Sequence, residues 1–106
     1  MGWTIWVEKK EIRVRGRTYN WKDDLKAAGF RFRKIGFDPE WWRPTPQDPK
    51  EIIGVIDAAS KNIPEGFRIT MVAGGREVTF TRNNRKLWIA KMQDGRPVPV
   101  KEVAYA

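Results

Sequence analysis

The sequence predicts an α+β domain: an antiparallel sheet of short strands packed against two helices. Three observations carry this expectation. Most apolar residues alternate at period two in runs of five to eight, as half-buried strands require. Two stretches alone show helical spacing with start and stop signals. The connections between strands are short and rich in Gly, Asn and Asp, which favours antiparallel neighbours. At 106 residues, with 41% hydrophobic and 32% charged residues, the chain reads as one domain spanning 1–106.

In order along the chain, residues 3–8 alternate, with Trp3, Ile5 and Val7 opposite Thr4, Trp6 and Glu8. Residues 11–15 do the same, with Ile12 and Val14 opposite Arg13 and Arg15. The polar link between them predicts a hairpin. Asn20 is placed as a helix N-cap, Asp23 and Asp24 complement the dipole of the first turn, and Gly29 supplies a stop. Trp21, Leu25 and Ala28 then share the apolar face of a short helix over 21–28, and Trp21 is assigned to the core. Residues 30–34 alternate Phe with Arg as a strand, 35–39 turn, and 40–43 return. Asp48-Pro49 with Glu51 starts a second helix over 49–61, and Pro64-Glu65-Gly66 closes it. The last third reads as a meander: a strand over 67–73, a Gly74-Gly75 turn, strands over 76–82 and 86–92, and a final stretch, 96–106, whose Pro97 and Pro99 make it an edge strand or an arm.

Composition removes several classes of function. The chain has no Cys and no His. That excludes cysteine and histidine zinc sites, Ser-His-Asp and Cys-His catalysis, and any disulfide framework. The carboxylates have local structural roles, Asp23 and Asp24 in a helix turn and Asp48 as a cap, so no metal-holding catalytic cluster is expected. Gly74-Gly75 is a turn and not a phosphate loop, since no Lys-Ser/Thr follows. The first residues lack a basic start followed by a long apolar core, and no stretch reaches the roughly 18 apolar residues of a membrane span. The expectation is a cytoplasmic, non-enzymatic protein with no cofactor and no membrane partner.

What remains is charge and aromaticity. Twenty-one Lys and Arg oppose thirteen Asp and Glu, for a net +8. Ten of the basic residues lie between Lys9 and Lys34, against Glu11, Asp23 and Asp24 alone. A strongly basic small domain suits a polyanion, because each cation docked on a phosphate releases counterions. Six Trp residues accompany the charge, and flat rings serve as platforms for unpaired bases. Arg13, Arg15 and Arg17 fall on one face of a strand, and Arg31 and Arg33 on one face of another. Sharing a sheet, they line a groove of guanidinium groups, which meet phosphate bidentately. Trp41 and Trp42 are adjacent and point to opposite faces, so one leaves the core; the same reasoning marks Trp6 and Trp88. Arg82, Arg85 and Lys86 form a second basic cluster beside Trp88. The candidate nucleic-acid-binding set is therefore Arg13, Arg15, Arg17, Arg31, Arg33, Trp6, Trp41, Trp42, Arg82, Arg85, Lys86 and Trp88.

The run from Gly16-Arg17-Thr18-Tyr19-Asn20-Trp21-Lys22 through Gly29-Phe30-Arg31-Phe32, with the Trp-bearing return strand over 40–43, resembles the ThermoDBP family and its archaeal relatives. The match is best over residues 11–43. The resemblance implies a sheet packed on helices and an apolar cleft flanked by basic residues. It further implies binding of single-stranded DNA with little sequence preference, a thermophilic archaeal setting, and a homo-oligomer. Two other readings of the same residues stay open: an RNA-binding module, which also uses Arg and aromatic rings, and a protein-interaction domain whose charge is incidental.

Overall fold

A computed structural model describes the backbone of residues 2–81, 87–93 and 96–103. The side chains described lie within 2–81, those of residues 49, 50, 76, 78 and 80 excepted. The elements are β1 (Gly2–Val7), β2 (Glu11–Gly16), a 3-10 turn (Tyr19–Trp21), α1 (Lys22–Ala27), β3 (Arg31–Ile35), β4 (Asp38–Pro44), α2 (Pro49–Ser60), β5 (Arg68–Ala73), β6 (Arg76–Thr81), β7 (Leu87–Gln93) and β8 (Arg96–Val103). The fold is α+β. Six strands form one sheet in the order β3-β4-β2-β1-β5-β6, and β7 and β8 pair separately.

The pairings are antiparallel except between β1 and β5, which run parallel in the register Trp3 to Ile69 and Ile5 to Met71. That pair makes the sheet mixed. It also brings the start of the chain to the centre, beside a strand more than sixty residues later. The expected meander stops at β6, because β7 turns to β8 instead of joining the main sheet. The turn expected at residues 83–84 lies outside the described residues.

One face of the sheet is covered by the helices. Trp3, Ile5, Val7, Ile12, Val14, Ile69, Met71 and Ala73 project there and pack with Leu25 of α1, with Ala28 at its end, and with Ile52, Ile56 and Ala59 of α2. The strict alternation of β1 and β2 is what places these residues on one side. Burial of side chains of this kind contributes about 1.5–3 kcal/mol each, and this layer is the core.

Helix α1 is shorter than the sequence spacing suggests. Asn20 does not cap it: residues 19–21 form the 3-10 turn, and the helix begins at Lys22 with no side-chain cap. Its C-terminus is as expected. The amide of Phe30 donates to the Leu25 carbonyl and that of Gly29 to Lys26, a Schellman closure with Gly29 at φ +91°. Arg43 of β4 donates to the Ala28 carbonyl at 2.7 Å, so the strand also ties the helix end. Asn62 donates to both carboxylate oxygens of Asp24, joining α1 to the end of α2.

Candidate nucleic-acid interface

The open face of the sheet carries much of the expected site, but its charges are spent internally. β4 lies between β2 and β3 and sets Glu40 among their arginines. Glu40 Oε1 accepts from Arg13 Nη1 and Arg15 Nε, both at 2.9 Å, and Oε2 accepts from Arg33 Nε at 2.6 Å. Arg13 also donates to Glu8, and Arg33 to Glu11. Asp38 lies 4.0 Å from Arg15. Burial alone would raise the Glu40 carboxyl, but hydrogen bonds from Arg33, Arg15 and Arg13 outweigh it and hold Glu40 below the ordinary carboxylate value. Hydrogen bonds to Glu11 first, and then to Glu40, hold Arg33 above its ordinary value. Glu40 is inaccessible to solvent because the guanidinium groups themselves cover it.

Two Trp residues complete this lattice. The Arg13 and Arg15 guanidinium carbons lie 4.8 and 5.8 Å from the Trp6 ring centroid, and that of Arg33 lies 5.1 Å from Trp42. Both Trp rings are half-buried. The expected groove of free guanidinium groups is thus corrected. Arg13, Arg15 and Arg33 share the face with Trp6 and Trp42, as the alternation implied, yet intramolecular carboxylates hold all three. Arg31 projects from the same face, exposed and without an ion pair to a described residue.

Arg17 does not join them. β2 ends at Gly16, whose φ of +128° breaks the alternation. A Cβ there would fall 2.4 Å from the Gly2 carbonyl oxygen, so the close approach to β1 needs glycine. Past it the chain crosses to the helical side of the sheet. Trp3 Nε1 donates to the Arg17 carbonyl at 2.8 Å and Trp41 Nε1 to Thr18 Oγ1 at 3.2 Å. These two indoles pin the 17–18 segment as the floor of a cleft.

The cleft, about 1460 Å³ in volume, opens where the short helix α1 leaves the outer strands uncovered. Trp21 and Phe67 line one side, their centroids 4.9 Å apart. Phe32 and Trp41, paired across β3 and β4 with centroids 5.3 Å apart, line the other. Tyr19 belongs to the lining and is 77% exposed, and Phe32 is 54% exposed. Trp21 is therefore half-buried against the core and also part of the cleft, and Phe32 is a surface ring. Trp41 is buried and contributes only an edge.

Four cations border these rings: Arg17, Lys22, Lys26 and Arg68, against the single carboxylate Glu65. None forms an ion pair with a described residue. Lys22 Nζ sits 4.4 Å from the Tyr19 centroid. Of the eight expected site residues whose side chains are described, only Arg17 and Trp41 line the cleft. Arg82, Arg85 and Lys86 lie outside the described residues, as does the side chain of Trp88. Sequence reasoning missed Tyr19, Phe32, Lys22, Lys26 and Arg68. The signal for Tyr19 was present: an aromatic residue directly after a glycine-broken strand and before the helix has no strand face to fill.

Among the described residues no helix is long and apolar enough to cross a membrane. No family model, no curated protein and no solved structure matches the chain.

Proposed function

We propose that this chain binds single-stranded DNA, with little sequence preference, in the aromatic and basic cleft. The observation that carries the reading is the placement of exposed Tyr19 and Phe32, in one concavity, beside four cations that form no ion pair with a described residue. Single strands present both phosphates and bare base faces, and a ring accepts any base. Arg17, Lys22, Lys26 and Arg68 hold the backbone, while Tyr19 and Phe32 stack bases, each contributing about 1–3 kcal/mol. The open face, with Arg13, Arg15 and Arg33 already paired, is a structural lattice in this reading. A chain without cysteine has no need of an oxidising compartment, and the same proposal puts it in the cytoplasm.

Trp21 and Trp41 line the cleft, so intrinsic tryptophan fluorescence reports its occupation. Titration with a dT oligomer is expected to quench it saturably. Raising the salt should weaken binding with a log–log slope near −3, since four phosphate contacts on a single strand give about −0.7 each. A flat titration at low salt contradicts the proposal. The same titration with an rU oligomer reads the preference for DNA directly.

A further inference from the structure

The β3–β4 hairpin ends in an exposed apolar tip. Phe37, in the connecting turn, is 94% exposed, and neighbouring Ile35 is 50% exposed. The hairpin is the outer edge of the sheet, so both its faces are accessible near the tip. Its strands alternate, which puts different groups on each side. Phe32 and Lys34 project on the cleft side, where Lys34 pairs in register with Pro39, itself part of the cleft lining. Arg31 projects on the open side. Lys34 and Arg31 are both exposed, and neither forms an ion pair with a described residue. The hairpin is therefore a thin blade with Lys34 beside the tip on the cleft face, Arg31 at the base of the open face, and an aromatic ring at its end.

We propose that this blade recognises the fork where a DNA duplex opens into two single strands. The inference rests on the single-strand reading of the cleft and extends it to the junction. Phe37 stacks on the exposed face of the last base pair, which a duplex end offers as a flat apolar surface. One arm follows the cleft side past Lys34 toward Phe32. The other passes along the open side, where Arg31 meets its phosphates. A continuous single strand needs a cation on one face only, whereas two diverging strands match cations on both. Like charges along β3 also discourage the edge from pairing with another copy of itself.

The test compares a forked duplex bearing two dT arms with one dT arm alone, by fluorescence anisotropy of labelled DNA. The wild-type protein is expected to bind the fork roughly tenfold more tightly, the gain of one added stacking contact. Phe37→Ala should abolish that gain and leave the single-arm affinity unchanged. Its thermal melt should match the wild type, because the ring contacts little of the fold. A 2-aminopurine in the base pair next to the fork should change fluorescence with the wild type and not with the variant. Equal affinity for fork and arm overturns the proposal while leaving the cleft reading intact. So does an equal loss on both DNAs in Phe37→Ala, which makes Phe37 an ordinary single-strand platform. Binding to neither DNA overturns the cleft reading and this one with it.

Discussion

Glu40 shows how one residue changes the meaning of its neighbours. Its two oxygens accept from Arg13, Arg15 and Arg33, so three guanidinium groups that look available for phosphate are held in place. Hydrogen bonds to charged groups contribute about 1.5–3 kcal/mol. Glu40→Gln removes the charge that gathers the three cations and should lower stability at neutral pH by about 2 kcal/mol, read by urea denaturation. The pH dependence follows from its carboxyl, held below the ordinary value of 4.5 in the folded protein. Stability from Glu40 is fully present above that ordinary value and is lost as the pH falls through the lower folded value. The gap between wild type and Glu40→Gln should therefore narrow on acidification. A gap that stays constant from neutral to strongly acidic pH contradicts the assigned role. At the same scale, Tyr19 and Phe32 are the exposed rings of the cleft, and Lys22 holds its cation against Tyr19.

Among the elements, helix α1 decides where the cleft opens. It is six residues long and stops at Gly29, where a Cβ would meet Arg43 Nη1 at 2.8 Å and φ is positive. Gly29→Ala forces a left-handed residue and displaces the arginine that caps the helix. It should cost about 1–2 kcal/mol, measured as a shift in the urea midpoint at unchanged slope; an unchanged midpoint contradicts this account of the helix end. The elements were largely legible in the sequence because their signals are local. Alternation in β1 and β2 sorted Ile5 from Trp6 and Val14 from Arg13, and Gly29 marked the helix stop. The site was less legible, for two physical reasons. Strand order is a long-range property, and only the placement of β4 between β2 and β3 brings Glu40 to the arginines. Alternation also sorts side chains into two faces without saying how far the helices extend over one of them. Phe32 lies on the helical side, as its period requires, yet it is exposed because α1 ends short of it. Arg17 left its expected row because Gly16 broke the strand.

For the whole molecule, the +8 net charge has an uneven character that a residue count does not reveal. On the open face Glu8, Glu11 and Glu40 hold Arg13, Arg15 and Arg33. Around the cleft Arg17, Lys22, Lys26 and Arg68 belong to the lining, with Glu65 the one carboxylate among the described lining residues. A polyanion is drawn to where positive charge is uncompensated. We propose that the cleft, and not the arginine-lined face, takes the single strand. The most direct test compares the dT-oligomer affinity of two variants. Phe32→Ala removes a cleft ring and should weaken binding roughly tenfold. Arg15→Gln removes an open-face cation, leaves Glu40 paired with Arg13 and Arg33, and should bind as the wild type does. Weak binding by Arg15→Gln beside undiminished binding by Phe32→Ala would move the interface to the opposite face and contradict the account.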